Sequence, residues 1–160
     1  MKVHYCSRMV AEAGSYSPSA GKPAAVVASW RRLYPALEFV APEPLTAAQL
    51  ALAHDRDYVD GVLALRLPNG FGNCLPDVAA SLPYTSGAMV AAAREALASR
   101  AVGIAPVSGF HHACWDEGGG YCTFNGLVVA AQVLRQEGAV GRVGILDADH
   151  HYGNGTADII

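Results

Sequence analysis

The stretch Gly144-Ile-Leu-Asp-Ala-Asp-His-His-Tyr-Gly-Asn-Gly155 decides how this chain is read. A buried-strand pattern from Arg142 to Leu146 leads directly into two carboxylates, two imidazoles and a glycine-rich turn. Such a run predicts a strand covered on both faces, as in a parallel sheet sandwiched by helices. Ligands in open α/β sheets bind at the carboxyl ends of the strands. Along an extended backbone Asp147, Asp149 and His151 alternate onto one face, so carboxylate and imidazole converge at the strand tip. That donor pair suits a metal ion. It equally suits polar groups that cap the following turn, and the triplet alone does not choose between the two. Gly153 and Gly155 let the backbone turn sharply beneath the cluster.

Working back from this stretch, Ser108-Gly-Phe-His-His-Ala113 repeats the strand-to-histidine form. On an extended backbone His111 and His112 diverge, whereas in a turn both face one pocket. Adjacent imidazoles of near-neutral pKa divide acid and base roles; loop histidines bonded to backbone are the plainer alternative. Gly118-Gly-Gly120 followed by Tyr121 reads as backbone approaching a ligand beside an aromatic wall, or as a flexible loop ahead of a helix. His4, His54 and His150 read as structural, and Trp30 and Trp115 as packing groups.

The rest of the chain alternates strands with helices. Strands are expected at Val3 to Cys6, Leu37 to Val40, Val102 to Val107 and Val143 to Leu146. A helix follows Pro23, which suits a first helical turn. Thr46-Ala-Ala-Gln49 predicts a capping box opening another helix near Ala47, and a third follows His54 to about Leu65. Leu67 to Leu82, with its glycines and prolines, reads as a long loop. Helices are expected at Ser86 to Ser99 and Phe124 to Glu137, the second closed by Gly138. This order implies a three-layer α/β/α domain over residues 1–160 with a mainly parallel sheet.

Composition narrows the class. At 160 residues with 52% hydrophobic content the chain builds a sizeable core. A net charge of −3 argues against nucleic acid as a partner. No apolar run approaches the roughly 18 residues that span a bilayer, and the N-terminus lacks the apolar centre of a secretion signal. A cytoplasmic location, with no membrane partner, is therefore expected. Cysteines 6, 74, 114 and 122 show no Cys-x-x-Cys spacing and read as reduced thiols.

Taken together, Gly109-Phe-His-His-Ala113, Gly120-Tyr-Cys-Thr-Phe-Asn125 and Asp147-Ala-Asp-His-His-Tyr-Gly-Asn-Gly155 resemble the histone deacetylase and acetylpolyamine amidohydrolase family. Their order and their separations of roughly ten and twenty-five residues are similar too. The resemblance implies the arginase/deacetylase fold, incomplete at the C-terminus, and zinc-dependent hydrolysis of an acetyl-amide: acetyl-lysine, an acetylpolyamine or a similar small acyl-amine. It makes Asp149 and His151 metal ligands and His111 and His112 the catalytic pair. Asp147 then supports His111, and Asn154 supports His112. Relatives that carry Asp in place of Asn154 give the ring a carboxylate; an amide favours its neutral form and a base role. Asp147 also resembles a ligand to a structural K+, while Gly120 and Tyr121 match the substrate tunnel.

The family's third metal ligand and its oxyanion tyrosine have no counterpart in this sequence. Activity is therefore expected to require C-terminal residues absent here, and turnover by residues 1–160 alone to be negligible. A non-catalytic truncated fragment or interaction module, and one chain of a split enzyme completed by a C-terminal partner chain, are the alternatives; the partners compatible with these readings are a homo-oligomer or that complementing chain. A two-manganese ureohydrolase fits less well, because its Asp-Ala-His-x-Asp order is not that of Asp147 to His151.

Overall fold

Backbone pairing in the computed structural model, which describes residues 1–160, organises the chain around a short parallel sheet and six helices. In order these are β1 (Lys2–His4), α1 (Lys22–Leu33), β2 (Glu38–Val40), α2 (Ala47–Leu50), α3 (Arg56–Leu63), α4 (Pro76–Ser99), α5 (Gly126–Gln136) and α6 (Asn154–Ile159). β1 and β2 run parallel with Val3 opposite Phe39, and Ile104 adds a parallel bridge to Val3. The parallel sense and the intervening α1 agree with the α/β arrangement read from the sequence.

Local signals set most helix ends. Thr46 accepts from the Gln49 backbone N–H at 3.2 Å, and Gln49 reaches back to the Thr46 N–H at 2.9 Å, which is the expected capping box. Asp55 caps α3 through the Tyr58 N–H at 2.9 Å. Gly138, at φ +68°, follows α5, where the Ala139 N–H donates to the Leu134 carbonyl at 3.0 Å.

Three expectations need correction. The long loop ends earlier than predicted, because α4 begins at Pro76 and runs to Ser99. Proline is preorganised for a first helical turn, and Asp77 adds a carboxylate at the positive end of the helix dipole. Pro83 lies inside α4; Thr85 Oγ1 donates to the Ser81 carbonyl at 3.0 Å, and the Pro83 carbonyl accepts from the Leu45 N–H at 3.0 Å. Tertiary burial of Val78 and Leu82 offsets the local penalty.

The strand expected at 102–107 is reduced to the single bridge at Ile104. Pro106 has no N–H to give a ladder, and Val102 is exposed. The strand expected at 143–146 does not form. No backbone hydrogen bond pairs it with another segment, and Val143, Ile145 and Leu146 are exposed. Apolar periodicity reports the environment a segment suits, while a strand also needs a partner for its backbone groups.

The core lies between the helices. Val59 and Val62 of α3, Val78 and Val90 of α4, and Val128, Val129 and Val133 of α5 close on Leu50 and Phe124. Each such valine, fully buried, contributes roughly 1.5–3 kcal/mol over its exposed state. At the sheet, Arg31 near the end of α1 stacks over the Phe39 ring at 4.8 Å.

Two histidines are enclosed by this packing. Burial lowers the pKa of both His54 and His4, and neither nitrogen of the His4 ring has a hydrogen-bond partner. The unfolded chain protonates these rings at their ordinary value near 6.5, whereas the folded chain resists. Stability is therefore complete above that value and declines as pH falls below it. Urea midpoints measured between pH 8 and pH 5.5 should fall with pH; His4→Phe and His54→Phe should each flatten the slope.

Candidate metal centre and histidine pair

The histidine pair sits in a turn after Phe110, closed by the Ala113 N–H donating to the Phe110 carbonyl at 3.1 Å. A turn rather than a strand keeps both rings on one side, with centroids 4.2 Å apart. His111 Nδ1 meets Asp147 Oδ2 at 2.7 Å, and His112 Nδ1 meets Asn154 Oδ1 at 2.6 Å. An amide oxygen only accepts, so His112 donates through Nδ1–H and its Nε2 keeps a free lone pair in the neutral ring. The Asn154 amide is itself oriented by its Nδ2 donating to Cys114 Sγ at 3.6 Å.

Asp147 and Asp149 lie on irregular backbone, not on the expected strand tip. Their convergence comes instead from two successive side chain-to-backbone turns. Asp147 Oδ1 accepts from the Asp149 N–H at 3.0 Å, and Asp149 Oδ1 accepts from the His151 N–H at 2.7 Å. Asn and Asp favour such i to i+2 contacts because the short side chain mimics a backbone turn. The Asp149 N–H, and then His111, hold the Asp147 carboxyl below the usual carboxylate range. The His151 backbone N–H, and then its ring, do the same for Asp149. Both aspartates are therefore ionised at neutral pH.

Asp149 Oδ1 and His151 Nδ1 stand 3.0 Å apart. Two ligands at zinc-type bond lengths in a tetrahedron are separated by about 3.3 Å, so the pair fits a shared cation as well as a shared proton. His111 Nε2 is 4.0 Å from Asp149 Oδ1, and the His112 and His151 ring centroids are 5.7 Å apart. No set of three His, Cys, Asp or Glu side chains converges as a complete cage. The residues present thus supply two donors of the right chemistry. Asp158 is engaged elsewhere, its Oδ2 accepting from the Trp115 N–H at 2.8 Å.

Gly153 and Gly155 do not merely turn the chain, as expected, but start α6. Gly155 is buried, and a Cβ there would collide with the Ala113 carbonyl. Its bare Cα lets α6 approach the histidine turn closely enough for the Thr156 N–H to donate to the His111 carbonyl at 3.1 Å. Gly155→Ala should destabilise the protein by about 1–3 kcal/mol, as overpacking does. Urea unfolding measures this directly; an unchanged midpoint would mean that α6 sits farther off.

Gly120 has φ +53°, and a Cβ on it would strike the His112 ring. Gly120 and His112 line a hollow of about 160 Å³ together with Cys114, Glu117 and Asn154. Tyr121, half-exposed and at φ +65°, donates its N–H to the Gly70 carbonyl at 3.0 Å and packs on Phe71 at 5.8 Å between centroids. On another side, Asp147 and His151 border a groove of about 720 Å³ walled by α5, residues 141–145 and α6. His150 is exposed, its ring 4.7 Å from that of His151 between centroids.

Of the eight residues singled out in the sequence, seven are placed around one locus: His111, His112, Asp147, Asp149, His151 and Asn154 linked by contacts, with Gly120 against His112; Tyr121 follows Gly120 in sequence but packs on Phe71. What the sequence did not reveal is how Asn125 serves the locus. Asn125 Oδ1 caps α5, while its Nδ2 donates to Thr156 Oγ1 at 3.0 Å and to the Ala113 carbonyl at 3.4 Å. Its cap position just ahead of an apolar helical run was the one local signal. All four cysteines are free, and no helix is long and apolar enough to cross a membrane.

Residues 19–160 match the model of the histone deacetylase domain. Over 49 residues, 31% of this chain and 14% of the relative, the sequence is 59% identical to acetylpolyamine amidohydrolase 2 of Pseudomonas aeruginosa. It is 33% identical over 124 residues to an uncharacterized protein of Picosynechococcus sp., covering 74% of this chain and 41% of that one. The crystal structure of the HDA15 HD domain shares the fold at a TM-score of 0.82 and 24% identity, covering 99% of this chain and 49% of that chain. The chain thus spans less than half the length of each of these relatives.

Proposed function

Because the chain belongs to the histone deacetylase family, we propose that it carries the paired-histidine part of a zinc-dependent site that hydrolyses acetyl-amides. The substrate class is acetyl-lysine, an acetylpolyamine or a similar small acyl-amine. One observation carries this reading: the pairs His111–Asp147, His112–Asn154 and Asp149–His151 meet in a single cluster.

Asp149 Oδ1 and His151 Nδ1 would hold the metal. A bound zinc ion supplies polarisation of the acyl carbonyl and a water acidified towards ~7. His112 keeps its proton on Nδ1 against Asn154 and presents Nε2 to take the proton of the attacking water. His111, bonded through Nδ1 to Asp147 and with Nε2 4.0 Å from Asp149, takes the other duty, donation to the leaving amine. Gly120 leaves the His112 ring uncovered, and Tyr121 gives an apolar face to the acyl chain.

The test is acetate release from N-acetylputrescine and from an acetyl-lysine peptide by the native polypeptide, before and after metal chelation. Turnover that chelation removes and zinc restores is expected. No acetate from either substrate with zinc bound would eliminate the reading. Residues 1–160 alone present two metal donors, so negligible turnover is expected from that segment by itself.

A further inference from the structure

His54 is the one fully buried imidazole, and no step above uses it. Both of its ring nitrogens are committed. Nδ1 lies 2.9 Å from the Cys114 carbonyl and 3.3 Å from that of Trp115, and Nε2 accepts the Asn125 backbone N–H at 2.8 Å. Carbonyls only accept and an N–H only donates, which fixes a neutral ring protonated on Nδ1. Burial lowers its pKa and keeps it neutral. The ring is wedged against Phe124 and Tyr58, with centroids at 5.4 and 6.0 Å.

The two groups it joins are 11 residues apart in sequence, Cys114 and Asn125, and both lead to the histidine pair. Cys114 is two residues beyond His112, and its sulfur receives the Asn154 amide that pairs with His112. Asn125 clamps the Ala113 carbonyl and Thr156, and Thr156 holds the His111 carbonyl. The next residue along, Asp55, donates its N–H to the Trp115 carbonyl at 2.9 Å, so the same corner grips the turn twice.

We propose that His54 is a positioning residue: by bridging the Cys114 carbonyl to the Asn125 N–H it fixes the turn that aims His111 and His112. The inference rests on the catalytic reading of that pair. Its physical core is that two buried backbone groups share one rigid donor–acceptor ring. An apolar replacement leaves both unsatisfied and frees the turn to shift. Misplacement by about 1 Å is enough to impair a catalytic pair.

The test is ¹⁵N NMR of the imidazoles in the metal-free chain at pH 8, which reports the tautomer of each ring without any turnover. His54→Phe retains the aromatic packing and loses both hydrogen bonds. In a folded variant, confirmed by a cooperative urea transition, the His112 Nδ1 and Nε2 shifts should move towards each other as its bond to Asn154 loosens. His54→Asn keeps a donor at the Nδ1 place and His54→Gln an acceptor at the Nε2 place, so each should give an intermediate shift. A folded His54→Phe with wild-type His111 and His112 signals overturns the proposal. Should His54→Phe not fold, wild-type signals in both the Asn and Gln variants overturn it. An altered ring signature without any acetate release in the native polypeptide would keep this proposal and sink the deacetylase reading instead.

Discussion

His112→Ala in the native polypeptide is expected to lower kcat for the proposed acetate release by about 10²- to 10⁴-fold, the usual worth of a positioned acid or base. The size follows from geometry. Only His112 combines a proton fixed on Nδ1 by Asn154 with an Nε2 left without a hydrogen-bond partner. Its partner His111 lies 4.2 Å away between centroids but is bonded to Asp147, which suits the opposite proton duty. Zinc content should not change, because His112 is not one of the two donors. The measurement is kcat and KM at saturating zinc, with metal counted by mass spectrometry. A fall in kcat below about tenfold would show that His112 is not the base.

Asp149→Ala and His151→Ala should each weaken zinc binding by more than about 100-fold, beyond what the loss of an outer supporting partner costs. With only two donors converging, removing either leaves a single contact, and no neighbouring His, Cys, Asp or Glu completes a set. Alanine at 149 also releases the His151 N–H, so Asp149→Asn is the sharper variant: its amide oxygen still accepts that N–H but carries no charge. Competition against a chromogenic chelator gives the affinities. Wild-type zinc binding by Asp149→Asn would remove this pair from the metal site.

Signals confined to a few residues were readable without coordinates. Thr46 and Gln49, three apart, announced a helix start, and Gly138 marked the end of α5. Residues 147, 149 and 151 were recognisable as one polar cluster because they adjoin in sequence, even though turns rather than a strand bring them together. Longer-range pairings were less accessible. His111 and Asp147 are 36 residues apart and His112 and Asn154 are 42; resemblance, not spacing, suggested these partners. The bond between His54 and Asn125 spans 71 residues and had no sequence trace beyond an imidazole read as structural.

Residue chemistry and local order, by themselves, determined the donor types, the helix caps, the two glycines beside the histidines and the parallel α/β plan. Those depend on φ preferences, side-chain reach within one turn and apolar spacing, all of which act over a few residues. Only the tertiary structure decided that α4 passes through Pro83, that 143–146 runs unpaired, and that one buried ring joins Cys114 to Asn125. Each of these is settled by what another part of the chain offers to a backbone N–H or carbonyl, and no short stretch of sequence specifies its distant partner.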